Sequence, residues 1–233
     1  MLFETNSKKM ENENKTQNET QASETKSQTV HNLIILDESG SMHSIYQPAL
    51  TGLNETLQTI RNAETEHEGQ KHFVSLIAFN SGHYNEIYNH TPAQKTKDIT
   101  EKQYRPGCAT PLYDAMGRAI TELRTKVAKE DTVLVTIITD GYENASREYR
   151  GSAIKALVEA MKAEGWVFTY IGANQDVEAV SRSMSINNCL AFDANEDSTR
   201  IMFAKESRSR KKFFDKLADE FMRAKLGDDY FDD

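Results

Sequence analysis

Apolar residues come in short bursts separated by polar stretches, and the spacing inside each burst predicts its conformation. Continuous apolar runs of strand length occur at His31–Leu36 (HNLIIL), His72–Asn80 (HFVSLIAFN), Tyr84–Asn89 (YNEIYN), Asp131–Asp140 (DTVLVTIITD), Trp166–Gly172 (WVFTYIG) and Cys189–Asp193 (CLAFD). Between them lie stretches with helical periodicity. Leu50, Leu53, Leu57 and Ile60 share one helical face and predict a helix over 45–65. A second helix is expected over 111–128, with Pro111 in the first turn, where its missing N–H does no harm. Further helices are expected over 149–164, closed by Gly165, over 176–183, capped by Asn174 or Asp176, and from Asn195 towards Phe221. The SGH link between the second and third runs has hairpin length, which makes the third an antiparallel edge strand. The run 131–140 is the longest β-branched one and predicts a central strand. Strands alternating with helices predict an α/β fold: a mostly parallel central sheet with one antiparallel edge strand and helices on both faces.

The two ends depart from this pattern. Residues 4–28 are Asn, Gln, Thr, Ser, Glu and Lys with hardly an apolar side chain, too few to offset the entropy of ordering them. The expected division is a disordered polar leader over 1–29, one domain over 30–222 that includes the last helix, and an acidic tail over 223–233. The tail, ending LGDDYFDD, reads as a solvated end. The basic run Ser207–Lys212 (SRSRKK) is short and spreads around its helix, which predicts a solvated face. A net charge of −8 over 233 residues argues against broad nucleic-acid binding, which needs basic surface. No run approaches the ~18 apolar residues that span a bilayer, and the N-terminus lacks the apolar core of a secretory signal. The expectation is a cytoplasmic protein with neither nucleic acid nor membrane as partner. Cys108 and Cys189 form no disulfide framework and are expected as small buried side chains.

Candidate chemistry gathers at strand ends. DESGSM (Asp37–Met42) follows LIIL and offers Asp37, Ser39 and Ser41 at alternating positions, with Gly40 to close the turn. Thr110 lies in GCATPLYDA, and Asp140 ends a strand in TIITDGYEN. These ligands are all oxygen, which suits a hard divalent cation such as Mg²⁺. In open parallel sheets such groups meet beyond the carboxyl ends of the strands. A Ser-rich turn alone often caps a helix, and TDG alone is a common turn; the combination of three segments is what carries the metal reading. Asp114, in the first turn of its helix, is expected to complement the helix dipole. Glu38, Met42 and His43 are expected at the surface around the site, and Glu143 and Asn144 as rim contacts.

DxSxS, a separate Thr and a strand-terminal Asp-Gly resemble the metal-ion-dependent adhesion site of the von Willebrand factor A family, over roughly residues 30–194. GCATPLYDA and TDGYEN are similar to its bacterial intracellular branch. The resemblance implies a Rossmann-like fold and a site of Asp37, Ser39, Ser41, Thr110 and Asp140 holding Mg²⁺, with Mn²⁺ or Ca²⁺ as alternatives. It implies that Ser39, Ser41 and Thr110 touch the metal, that Asp37 and Asp140 act through waters, and that the last helix shifts in some relatives. The implied function is an adaptor that captures an Asp or Glu of another protein, an AAA+ ATPase or a stress-response component among the candidates. Two other readings remain open: a Mg²⁺-dependent hydrolase or phosphatase, and a structural self-assembling subunit. Against the enzyme, the chain carries DES where aspartate-nucleophile phosphatases show DxD, and it lacks a phosphate loop, a G-x-S-x-G elbow and H-E-x-x-H.

Overall fold

The computed structural model describes residues 27–219 and 229–231. The strands are β1 (Gln28–Asp37), β2 (Gln70–Asn80), β3 (His83–Pro92), β4 (Thr132–Thr139), β5 (Val167–Ala173) and β6 (Asn188–Phe192). The helices are α1 (Tyr46–Glu66), α2 (Leu112–Arg124), α3 (Gly151–Ala163), α4 (Val177–Ser183) and α5 (Glu196–Ala218). A 3₁₀ turn, Gly40–Ile45, leads from β1 into α1. The strands form one sheet in the order β3-β2-β1-β4-β5-β6, parallel except for the antiparallel pairing of β3 on β2.

Alternation along the strands explains the layers. Ile34 and Leu36 point to a core shared with α1 and α5, whereas Leu33 and Ile35 point to a core shared with α2, α3 and α4. Leu50, Leu53, Leu57 and Ile60 of α1 are all buried, as their spacing predicts. Close approach of α1 and α5 depends on Gly52, because a Cβ there would sit 2.1 Å from Cγ of Phe203. The order reverses between β1 and β4, so the carboxyl ends of these two neighbours are the topological switch point.

Several expectations are corrected. β1 begins at Gln28, before the expected domain start, because Gln28 and Thr29 pair with Gln70 and Lys71. The rest of the expected leader, 1–26, and the expected boundary at 222 lie outside the described residues. The tail is not simply solvated: Tyr230 and Phe231 are buried, packing together and, through Tyr230, on Phe213 of α5. The run 207–212 is only partly a solvated face: Arg208, Lys211 and Lys212 are exposed, but Arg210 is 0% exposed. Its guanidinium pairs with the equally buried Glu206 at 2.7 Å and donates to Asn32 on β1 and Thr136 on β4. A buried charge persists only when paired and hydrogen-bonded, and this network supplies both. Cys108 is exposed and Cys189 half-buried, because Cys108 occupies a surface loop at φ 63°. Among the described residues, no helix is long and apolar enough to cross a membrane.

Candidate functional site

β1 and β4 deliver two carboxylates side by side. Asp37 is the last residue of β1, and Asp140 follows the last residue of β4; both are buried. Asp37 has a donor on each carboxylate oxygen. Its Oδ1 accepts the backbone N–H of Ser39 at 2.7 Å, and its Oδ2 accepts the hydroxyl of Thr139 at 2.6 Å. It therefore fixes the DESGS turn rather than facing outward. Above it, the Oγ atoms of Ser39 and Ser41 lie 3.1 Å apart. Ser41 donates to Oδ1 of Asp140 at 2.5 Å, and the Asn174 amide donates to the Asp140 carbonyl at 3.2 Å.

Thr110 comes from the loop before α2. Its N–H donates to Oδ1 of Asn144 at 2.8 Å, and its carbonyl accepts the Asn144 N–H at 3.1 Å. Two residues earlier, the Cys108 carbonyl accepts the Gly40 N–H at 3.0 Å. The Thr110 loop is thus tied to both strand-end turns. The structure links Asp37, Ser39, Ser41 and Asp140 by direct hydrogen bonds. Thr110 itself is bonded to Asn144, its loop meets the DESGS turn through the Cys108–Gly40 bond, and its hydroxyl makes no bond to the other four.

Burial dominates the electrostatics. It pushes the Asp37 carboxyl up to about 6 against the lowering effect of its hydrogen bonds, and it raises Asp140 as well. Oδ2 of Asp140 is buried with no hydrogen-bond partner. An orphaned acceptor beside a second desolvated carboxylate calls for a cation or a proton. Among the described residues, no group of three or more His, Cys, Asp or Glu side chains is placed to hold a metal. Any ion here would therefore rely on hydroxyls as well as carboxylates, which fits a hard, oxygen-seeking cation and not a thiolate- or imidazole-seeking one. Adjacent ligand oxygens of octahedral Mg²⁺ stand about 2.9 Å apart, close to the Ser39–Ser41 spacing.

The expected rim residues have structural duties. Glu38 and Met42 are buried, not superficial: Met42 joins the α1 core, and Glu38 accepts the Arg105 N–H and meets Nε2 of His83 at 2.5 Å. His43 and Asn144 are exposed as expected. Glu143 accepts the N–H groups of Tyr113, Ala145 and Ser146, and so ties its loop to the start of α2. Asn144 orients Thr110. Asp114 does more than face the helix dipole. Burial raises its carboxyl, but the N–H groups of Arg147, Glu148 and Tyr149 outweigh that and hold it below the usual range. Sequence reasoning missed Thr139 and Tyr104, whose hydroxyl donates to the Asp37 carbonyl at 3.1 Å. Thr139 carried a readable signal, being adjacent to Asp140; Tyr104, far along the chain from Asp37, carried none.

Solved structures share this fold at low identity. The chain matches the pilus adhesin SpaC of Lactobacillus rhamnosus GG at 14% identity and TM-score 0.57, over 80% of this chain and 31% of that one. A mutant of the PilB minor pilin of Streptococcus sanguinis matches at 13% identity and TM-score 0.55, over 79% and 62%. The von Willebrand factor domain of the type V pili tip protein Mfa5 of Porphyromonas gingivalis matches at 9% identity and TM-score 0.55, over 80% and 96%. The chain thus spans less than two thirds of the first two relatives and nearly all of the isolated domain. Comparison with curated protein sequences gives no match. The family profile described as von Willebrand factor type A domain matches residues 33–215, most of the chain and all of the sheet beyond the start of β1. On that match and on the sheet order, the chain belongs to the von Willebrand factor type A domain family.

Proposed function

We propose that the protein is a binding module in which a divalent cation, held at the β1–β4 switch point, captures a carboxylate of a partner protein. The observation that carries this reading is the orphaned, buried Oδ2 of Asp140 next to two serine hydroxyls. Ser39, Ser41 and Thr110 would hold the ion through their hydroxyls, and Asp140 would balance its charge. Asp37, with both oxygens already engaged, holds the turn in place. When bound, the ion supplies a Lewis-acidic position that an Asp or Glu from outside can complete. With few charged groups touching it, the ion keeps much of its positive charge, which favours an acidic partner. Mg²⁺ suits the small, mostly neutral ligand set best, with Mn²⁺ and Ca²⁺ as alternatives.

The family and fold support a protein-interaction role. The similar structures include a pilus adhesin and a domain of a pilus tip protein. For this chain we infer an acidic protein partner, in the cytoplasm, with an AAA+ ATPase or a stress-response component as candidates in keeping with its similarity to the bacterial intracellular branch. The adaptor reading stands ahead of a hydrolytic one because the chain carries DES at the end of its first strand, where aspartate-nucleophile phosphatases show DxD.

The test is affinity capture from the source cell by the full chain, in Mg²⁺ and then in EDTA, comparing wild type with Asp37→Ala. The expected result is a partner retained only by wild type with metal. Partners retained equally by both proteins in EDTA would refute the proposal.

A further inference from the structure

A cleft of about 670 Å³ opens beside the hydroxyl cluster, on the Thr110 side. Its walls are the β2–β3 turn, the first two turns of α2 and the 144–147 loop. Phe79, Pro111 and Ala115 give it an apolar floor, and Tyr84, Arg118 and Arg147 give it donors. The charge balance is unusual for this chain. The net charge overall is −8, yet the lining carries two guanidiniums against one carboxylate, that of Asp114. Asp114 is already occupied by three backbone N–H groups, so it offers little opposition to an anion.

The donors are available. The hydroxyl of Tyr84 is buried without a hydrogen-bond partner, and burial raises its pKa, so it remains a neutral donor. The Arg118 guanidinium lies 5.8 Å from the Tyr84 ring centroid and pairs with Glu148. That pair is bidentate, through Nε and one terminal nitrogen, which leaves the other terminal nitrogen, Nη1, without a partner among the described residues and able to donate to a ligand. Arg147 is exposed, and its guanidinium has no carboxylate partner among the described residues.

Spacing then sets the ligand. Arg118 stands eight residues beyond Thr110, and a helix rises ~1.5 Å per residue, so it lies roughly 12 Å from Thr110 along α2. An extended peptide advances ~3.3 Å per residue with side chains on alternate faces, so about four residues cover that distance and return the side chain to the same face. We propose that this cleft is a second anionic subsite, taking a carboxylate side chain four residues along an extended partner segment from the acid that meets the hydroxyl cluster. This rests on the function proposed above and narrows it to a partner with two acidic residues at that spacing.

The experiment is a titration of ¹⁵N-labelled full chain in Mg²⁺, followed by NMR. One probe is acetyl-Gly-Glu-Gly-Gly-Gly-Glu-Gly-amide; the other has glutamine in place of the second glutamate. The two-acid peptide is expected to bind about fivefold tighter, beyond the roughly twofold statistical advantage of having two acids, in line with an exposed charge pair. It should also shift the amides of Tyr84, Ala115 and Arg118. In an R118Q/R147Q variant, the difference should fall to the statistical factor while the one-acid peptide binds as before. A wild-type difference of about twofold or less, or one that survives in R118Q/R147Q, overturns the subsite but leaves the metal-bridged reading standing. Absence of any Mg²⁺-dependent binding of the one-acid peptide overturns both.

Discussion

Asp37→Asn should stabilise the metal-free protein. The Asp37 carboxyl titrates at about 6 in the fold, above its ordinary 3.8, because burial penalises its charge. The folded state thus holds this proton more tightly than the unfolded chain. Stability from this group is full below the unfolded value, is lost as pH rises towards 6, and stays lost above it. At about pH 7.5 the cost is about 3 kcal/mol, at 1.36 kcal/mol per pKa unit; at about pH 5 the same relation gives roughly half. Asparagine mimics the protonated acid. Its carbonyl accepts the Ser39 N–H, and its amide can donate to Oγ1 of Thr139, whose proton turns to the Gly141 carbonyl 3.1 Å away. Comparing two proteins at each pH cancels other titrations, notably that of buried His72, which burial depresses to about 3 and which acts in the opposite direction. The assay is urea unfolding of wild type and Asp37→Asn in EDTA at both pH values. The variant is expected to be more stable by about 3 kcal/mol at pH 7.5, the gap roughly halving at pH 5. A variant no more stable than wild type at pH 7.5, or a gap indifferent to pH, would refute the claim that burial penalises the Asp37 charge more than its hydrogen bonds repay.

Other outcomes follow from packing around α5. Gly52→Ala should cost about 1–2 kcal/mol in urea unfolding, because overpacking against Phe203 outweighs the gain of about 1 kcal/mol in helix propensity. Glu206→Gln strands the Arg210 guanidinium in the core and should cost about 3–5 kcal/mol, whereas the double variant E206L/R210M should recover most of that; equal losses in both would show that the ion pair itself is not the issue. Tyr230→Phe removes a hydroxyl that donates to Glu206 at 3.2 Å and should cost about 1 kcal/mol. It should also speed amide exchange in α5, and unchanged exchange would mean the tail does not brace the helix.

Local signals made most of the fold legible. The run LIIL marks β1 and helical spacing marks α1, because each periodicity is set by the residue's own backbone. Asp37 and Asp140 were readable as neighbours because strand-terminal acids in a parallel sheet converge at the switch point. What failed to show was long-range pairing. Arg210 sits in SRSRKK, and nothing nearby in the sequence announces that Asn32 and Thr136 wait beneath it. Glu38 and Met42 flank the motif, yet burial against His83 and the α1 core, not proximity to the motif, decides where they point. Tyr230 and Phe231 looked like part of an acidic end because the groove that receives them is assembled from α5 and Asn188 of β6.

The most direct test of the metal site is Mn²⁺ electron paramagnetic resonance of the full chain, comparing wild type with Ser41→Ala, Asp140→Asn and Thr110→Val. Thr110 matters most, because its hydroxyl makes no bond to the other four residues and gains a role only through the ion. The account predicts one bound Mn²⁺ per chain, displaced by Mg²⁺ and weakened severalfold or lost in all three variants. Undiminished binding in Thr110→Val and Asp140→Asn, or no bound Mn²⁺ in wild type, would contradict it.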